Sequence, residues 1–194
     1  DIGYAVIIGN AAGSGVLTNA ADGTVLIGYQ AGAALTAPSG GVGTGNIAIG
    51  YQAMKEHVDG MKNIAIGYAA MGDTVGDATS DSSVENIFIG WGSGGGTWAS
   101  GASSNYNVAV GNNTMDDIMN GALANTSVGY ASAAILTSGD YNTMFGSNAG
   151  DTITTGTNNT TVGYSANVGA AGATNQTAIG SGVTGVNTDN SVTL

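Results

Sequence analysis

The sequence lacks cysteine and arginine, and its 194 residues include two lysines, one histidine and one proline. The absence of cysteine excludes a disulfide scaffold and thiol chemistry. Thirteen acidic residues give the chain a net charge of −11. This charge argues against nucleic acid or an anionic membrane surface as a partner, because both are bound through lysine and arginine. No apolar run is long enough to cross a bilayer, so we expect no direct membrane insertion.

Charged residues make up 8% of the chain, compared with about 25% in an ordinary soluble domain. The chain has 35 glycines but no strict glycine at every third position, which excludes collagen. Apolar residues make up 42%, far more than in a disordered chain of high charge. The composition therefore predicts a folded protein of unusual, glycine-rich type.

A glycine recurs at the end of a short apolar motif, and we call it the anchor glycine. Successive anchors lie 17 to 23 residues apart, and the last three spacings are 17. The anchors are Gly9, Gly28, Gly50, Gly67, Gly90, Gly111, Gly129, Gly146, Gly163 and Gly180. Residues 1–194 are thus predicted to be a single repeat domain of about ten coils, with insertions in the first half.

Residues around each anchor follow position-specific rules. The residue three before it is β-branched and the residue one before it is large and apolar, which is the alternation typical of a strand. We expect these two positions to point inward, so that Ile49, Ile66 and Ile89 form part of an interior row. Four residues before the anchor, asparagine occupies seven repeats: Asn46, Asn63, Asn86, Asn107, Asn125, Asn142 and Asn159. Aligned asparagines can join coils through side-chain amide hydrogen bonds.

The repeat predicts an all-β fold, a parallel β-solenoid of the β-roll or β-helix kind with about ten coils of about 17 residues. A helix is disfavoured because the apolar period is 2 rather than 3.6. A unit this short cannot bury its own apolar face, whereas stacked units can. A sandwich or propeller is the alternative, although propeller blades need about 40 residues.

The segments "NIAIGYQA" (46–53), "NIAIGYAA" (63–70), "NIFIGWGS" (86–93) and "TVLIGYQA" (24–31) carry a resemblance over nearly the whole chain. They resemble the head repeats of trimeric autotransporter adhesins of the YadA type. They are also similar to "NTAIGYQA" arrays in phage tail fibres. The resemblance implies parallel β-coils in a homotrimer. Head repeats of that family are usually nearer 14 or 15 residues, so this chain departs from them in period.

The chain begins within a coil and ends in "NSVTL" (190–194), where an eleventh anchor would follow. We therefore expect it to be a segment of a longer protein. If both ends were native, exposed coil edges would favour end-to-end stacking into a filament.

Candidate residues for chemistry are few. The only histidine, His57, lies in "KEHVDGMK" (55–62) with both lysines, Lys55 and Lys62. A base or ligand cluster is one interpretation, and we favour a solvated insertion between coils that could contact a receptor. Trp98 lies in a glycine-rich insertion, where it could stack on a sugar or a protein, or pack over the coils.

Carboxylates cluster at Asp73, Asp77, Asp81 and Glu85, and calcium binds such oxygen-rich groups. Their spacing matches no calcium motif, so we favour an acidic loop that maintains solubility. An aromatic residue follows six anchors, and here we favour packing over glycan binding. The aromatic residues are Tyr29, Tyr51, Tyr68, Trp91, Tyr130 and Tyr164.

The function that we predict is non-enzymatic: a structural and adhesive shaft of a trimeric fibre, at the cell surface of a bacterium or on a virion. The longest insertions lie between Gly28 and Gly50, between Gly67 and Gly90, and between Gly90 and Gly111, and we expect them to bind a surface glycan or protein receptor. The alternative is a secreted filament stacking through coil ends. An ice-binding or a polysaccharide-cleaving solenoid is less favoured. No cofactor is expected.

Overall fold

The computed structural model describes residues 4–15, 22–36, 45–73, 82–98 and 102–194. Over these ranges the chain is all-β and forms a parallel β-solenoid of about nine turns without an α-helix, which confirms the predicted class. Within the same ranges, no helix has the length and apolarity that a membrane span requires.

Eleven short strands form one sheet in chain order, and every neighbouring pair is parallel. An anchor glycine directly follows each of the first ten strands. The strands are β1 Val6–Ile8, β2 Val25–Ile27, β3 Ile47–Ile49, β4 Ile64–Ile66, β5 Ile87–Ile89, β6 Val108–Val110, β7 Thr126–Val128, β8 Thr143–Phe145, β9 Thr160–Val162, β10 Thr177–Ile179 and β11 Val192–Thr193. Equivalent residues pair directly, as in Ile47 with Ile64 and Ile49 with Ile66, so each repeat position forms a straight row.

Side chains of these strands point in the direction opposite to our expectation. The middle residue of each strand from β2 to β10 is buried, and its two neighbours are partly or largely exposed. The buried inner row is Leu26, Ala48, Ala65, Phe88, Ala109, Ser127, Met144, Thr161 and Ala178. The prediction that Ile49, Ile66 and Ile89 fill the interior is therefore wrong, although the three do align.

The reason lies in the asparagines that stand four residues before seven of the anchors. Asn46 is fully buried, and residues two apart on a strand share a face, so Ala48 must also face inward. The two residues that flank the buried middle residue of each strand form two rows on the outside of the sheet. The outer β-branched row is Val25, Ile47, Ile64, Ile87, Val108, Thr126, Thr143, Thr160 and Thr177; the outer apolar row is Ile27, Ile49, Ile66, Ile89, Val110, Val128, Phe145, Val162 and Ile179.

The asparagine row joins the coils through repeated hydrogen bonds inside the solenoid. The backbone N–H of Asn125 donates to Oδ1 of Asn107 at 3.0 Å, and its Nδ2 donates to the same oxygen at 3.0 Å and to the Gly139 carbonyl at 2.7 Å. An equivalent set of three bonds recurs at Asn86, Asn107, Asn142 and Asn159. Every buried amide in these rungs is thus satisfied by the neighbouring coil and by its own.

The anchor glycines end the strands in a conformation that other residues avoid. Their φ angles lie between +130° and +141°. A Cβ on any anchor from Gly9 to Gly163 would also overlap the carbonyl oxygen of the next anchor. Successive coils therefore approach backbone to backbone at this corner, and only glycine permits that contact.

Inside the coils of β2 to β6 and β8, two residues have complementary sizes: the residue of the buried inner row and the residue four positions after the anchor. We call these two residues a facing pair. Where the first member is large, the second is glycine; where the first is alanine, the second is methionine. A Cβ on Gly94 would come within 2.6 Å of the Phe88 ring, and one on Gly32 within 2.7 Å of Leu26. The pairs are Leu26/Gly32, Ala48/Met54, Ala65/Met71, Phe88/Gly94, Ala109/Met115 and Met144/Gly150. The core of these coils thus keeps a nearly constant volume by exchanging size between two positions.

We predict that this exchange can be transferred between coils. Ala109→Leu alone should destabilise the protein by about 2 kcal/mol through overpacking, and Met115→Gly alone by about 2 kcal/mol or more through a cavity. Together they recreate the Leu26/Gly32 arrangement, so the double variant should be at least about 2 kcal/mol more stable than the sum of the single effects. Urea unfolding of the four proteins measures this coupling. The control combines Ala109→Leu with Met54→Gly in a distant coil, and additivity in both doubles would contradict the pairing.

We also predict that two glycine substitutions with similar backbone strain will differ sharply. Gly180 has a φ of +136°, close to the +140° of Gly129, and an added Cβ there would meet the Val183 side chain but no backbone atom, so Gly180→Ala should cost about 1 to 2 kcal/mol. Gly129→Ala adds the overlap with the Gly146 carbonyl and should cost about 3 kcal/mol or more. Thermal unfolding of both variants gives the comparison, and equal losses would refute the backbone contact as the reason for the anchor.

Candidate functional site

The segment that carries His57 and both lysines is not an insertion. It is the return path of a coil with the base period of 17, between Gly50 and Gly67. His57 lies seven residues after its anchor, as do Leu35, Leu136 and Ile153 after theirs, and all four side chains are buried. The expected solvated histidine is therefore a core residue at a position where three other coils bury leucine or isoleucine.

The imidazole of His57 joins the asparagine row. Nδ2 of Asn63 lies 3.1 Å from His57 Nε2 and also donates to the Ser83 carbonyl at 2.9 Å. Because the amide nitrogen can only donate, Nε2 must accept and the ring proton is assigned to Nδ1. Burial lowers the pKa of His57 to about 4, against the opposing charge of Asp59. A fully buried, neutral imidazole cannot contact a receptor, so this part of our prediction is wrong.

The two lysines lie at the surface, each paired with a glutamate. Lys55 Nζ is 2.8 Å from Glu56, and Lys62 Nζ is 2.8 Å from Glu85 on the next coil. Hydrogen bonds and charge from these glutamates raise the pKa of both lysines. Both ammonium groups remain accessible, so receptor contact through Lys55 and Lys62 stays a prediction.

Trp98 lies inside the protein rather than on an exposed loop. It is fully buried, its ring meets Phe88 edge to face at 5.8 Å, and its Nε1 donates to the Gly94 carbonyl at 3.1 Å. The glycine at position 94 leaves space for the Phe88 ring that Trp98 contacts. The interpretation of Trp98 as a stacking platform is therefore wrong.

The acidic residues proposed as weak calcium ligands do not come together where the structure describes them. Asp73 accepts a hydrogen bond from Thr97 at 2.7 Å, whereas Glu85 pairs with Lys62. Asp77 and Asp81 lie outside the described residues. In the ranges that the structure describes, no three histidine, cysteine or acidic side chains are grouped closely enough to hold a metal ion.

A shallow depression lies where Lys55, Glu56 and Asp73 converge. Its volume is about 190 Å³, and Gln52, Ala69, Gly72 and Gly95 complete its lining. Small-molecule sites usually exceed about 300 Å³. Nearby Asp116 is partly buried against Gly95, and burial raises its pKa. The depression offers mixed charge and little enclosed surface, so it gives no basis for a reaction or a sugar chain.

Four of the six aromatic residues that follow the anchors stack on one another at the surface. Ring centroids are 5.1 Å apart for Tyr29 and Tyr51, 4.9 Å for Tyr51 and Tyr68, and 6.3 Å for Tyr68 and Trp91. Each ring is 43–53% exposed; Tyr51 and Tyr68 each lie between two rings, whereas Tyr29 and Trp91 each contact a ring on one face. A sugar stacks on ring faces, so this geometry favours packing, as we expected.

The insertions on which receptor binding was predicted are described only in part. Residues 37–44, 74–81 and 99–101 fall within the three longest insertions and lie outside the described residues. The signal that would have identified His57 as a core residue was its distance from the anchor, which is the same as that of Leu35, Leu136 and Ile153.

We predict that His57 makes the protein sensitive to mild acid. Its folded pKa of about 4 lies below the ordinary value of 6.5, so the unfolded chain takes up the proton first as the pH falls. The contribution of the neutral His57 to the free energy of unfolding is fully present above pH 6.5. It is lost as the pH falls towards 4, by about 3 kcal/mol in total. His57→Leu, which copies Leu35 and Leu136, should lose less between pH 7 and pH 4.5 in urea unfolding. Asp116, whose pKa is raised, has the opposite effect on stability as the pH falls, and it does so in both proteins. The difference between the two pH profiles therefore reports on His57 alone. Parallel profiles would refute this prediction.

Comparison of the chain with models of protein families, with curated proteins and with solved structures found no match.

Proposed function

We propose that the protein is a non-enzymatic shaft segment of a trimeric surface fibre, of the tail-fibre or adhesin type, that presents loops to a host or surface receptor. The single observation that carries this proposal is the continuous eleven-stranded sheet, in which every coil is in register with the next. Such a stack holds a shape over distance. At about 4.8 Å per coil, the sheet extends on the order of 50 Å.

The described residues support a structural rather than a catalytic role. His57 is buried and neutral, both lysines are paired with glutamates, and the depression beside Lys55 is small. Buried polar groups serve to join coils, as in the asparagine row. A shaft uses its residues in this way, because its function requires rigidity and the display of variable loops.

A secreted filament that grows by stacking of coil ends is the second candidate. The observation that favours it is the register of the sheet, in which every coil repeats the strand of the one before, because a coil of one copy could continue the same repeat on another.

We predict a mass in solution three times that of one chain and discrete short rods in electron micrographs. Light scattering measured over a dilution series gives the mass, and negative staining gives the shape. A mass equal to one chain at all concentrations would refute the trimer. Long filaments of variable length would instead support end stacking.

A further inference from the structure

The positions directly after the anchor glycines, which we call the aromatic row, are aromatic in only part of the solenoid. The first four positions after β2 to β5 carry the stacked rings. Beyond them, polar and aromatic residues alternate, so that Asn112 stands between Trp91 and Tyr130. In the coils of β2 to β10 the row reads Tyr29, Tyr51, Tyr68, Trp91, Asn112, Tyr130, Ser147, Tyr164 and Ser181.

The backbone of the aromatic row stays in register where the aromatic residues stop alternating with one another. The Trp91 carbonyl accepts a hydrogen bond from the N–H of Asn113 at 2.9 Å. The Asn112 carbonyl accepts the equivalent bond from Ala131, also at 2.9 Å. Each coil therefore adds one strand spacing, about 4.8 Å, and the row positions of Trp91 and Tyr130 are about 9.6 Å apart.

Ring exposure rises where neighbouring rings are missing. The four stacked rings are 43–53% exposed. Tyr130 and Tyr164, whose neighbours in the row are polar on both sides, are 57% and 63% exposed. The additional exposed surface agrees with ring faces that no other ring covers. Faces of this kind are what a sugar stacks on, because the electron-rich face of an aromatic ring attracts C–H groups.

The side chain of Asn112 is held against the backbone of the preceding coil. Its Oδ1 accepts a hydrogen bond from the backbone N–H of Trp91 at 3.0 Å. Its Nδ2 carries two N–H donors, and the residue is exposed. We call the space between the row positions of Trp91 and Tyr130, with this amide at its base, the Asn112 slot.

The width of the Asn112 slot selects the shape of its occupant. A ring placed midway lies about 4.8 Å from each wall, whereas carbon atoms attract best at about 3.5–4.0 Å. A flat aromatic ring can therefore contact one wall well but not both. The tyrosines of the stack keep centroid distances of 4.9–5.1 Å because the backbone fixes their spacing. A puckered pyranose ring is thicker, since its C–H bonds project from both faces, and it can contact both walls.

Charge and direction narrow the occupant further. The chain has a net charge of −11, and both lysines lie between β3 and β4, whereas the slot lies between β5 and β7. An anionic sugar would be repelled by such a chain, so a neutral sugar is favoured. The rings stack along the solenoid axis, so a sugar between them lies across that axis. Only the end residue of a glycan can enter in this way, with the remainder directed outward.

We propose that the Asn112 slot binds the terminal pyranose residue of a neutral glycan. Trp91 and Tyr130 contact the two faces of the sugar ring, and the Asn112 amide donates hydrogen bonds to its hydroxyl groups. Ser147 occupies a similar position between Tyr130 and Tyr164, but its Oγ lies 3.0 Å from Asn148 Oδ1 and donates there. The inference does not depend on the proposed function, because the slot belongs to the coils rather than to inserted loops or to contacts between chains.

Tryptophan fluorescence gives a direct readout of the Asn112 slot. Trp91 forms one wall and is 53% exposed, whereas Trp98 is fully buried, so a glycoside that enters the slot alters the emission of Trp91. The probes are the methyl glycosides of glucose, galactose and mannose. For at least one of them we expect a saturable change with a Kd on the order of 1–10 mM, as befits a single small ring.

The decisive variant fills the slot with a ring. Asn112→Tyr copies the arrangement of Tyr51, which lies between two rings of the stack, so the variant should fold. It should weaken glycoside binding by about tenfold or more, because the side chain occupies the space of the sugar. The matched control is Asn10→Tyr, the same change in the same row beyond Tyr29, at the other end of the stack. Binding by the control should equal that of the unsubstituted protein, and circular dichroism establishes that both variants are folded.

Three results would overturn the inference. The first is the absence of a saturable change with all three glycosides up to about 100 mM. The second is equal binding by folded Asn112→Tyr and by the control. The third is binding of phenol without binding of any glycoside in saturation-transfer NMR, which would assign the slot to flat aromatic rings. Should Asn112→Tyr not fold, Tyr130→Ser replaces it, since serine occupies the row after β8. This variant removes one wall and should bind about tenfold more weakly, and unchanged binding would again contradict the inference.

Discussion

The requirement that each residue lie directly on its equivalent in the next coil governs this molecule. Anchor glycines hold neighbouring backbones in contact at one corner, and asparagine amides fix their separation at another. With both corners fixed, the cross-section available for side chains is nearly the same in the coils of β2 to β6 and β8. The facing pairs follow directly, because a ring such as Phe88 can be accommodated only if Gly94 gives up the space. The repeat therefore conserves volume rather than residue identity.

Much of this fold could be predicted from the sequence. The anchor spacing located ten strands, and the recurrence of asparagine indicated bridges between coils. The facing direction could not be obtained in the same way, since alternation defines two faces of a strand without saying which is inside. Apolar residues such as Ile49 occupy the outer face here, so hydrophobicity gave the wrong answer. The complementary sizes of residues such as Ala48 and Met54 indicated which face of the strand lies inside.

The candidate site was predicted less well, for a related reason. His57 and Trp98 were selected as unusual residues in variable segments, where exposure is the usual expectation. Both fill the core, because the return path of a coil contributes to the interior as much as the strand does. Lys55 and Lys62 were correctly placed at the surface, since a charged ammonium has no partner inside such an apolar cross-section. The interior thus combines an apolar core with a row of hydrogen-bonded asparagines, while strand isoleucines such as Ile49 lie on the outer face.

The asparagine row also has a direction. In every rung from Asn63 to Asn159 the later coil donates and the earlier coil accepts, and Gln176 continues the same order. Aligned amides polarise one another, so the hydrogen bonds of the row reinforce each other and share one direction along the solenoid axis. A coil presented in reverse would bring acceptor to acceptor or donor to donor. Any extension of this row by another chain must therefore be head to tail, which gives the solenoid a polarity that its symmetrical-looking repeats conceal.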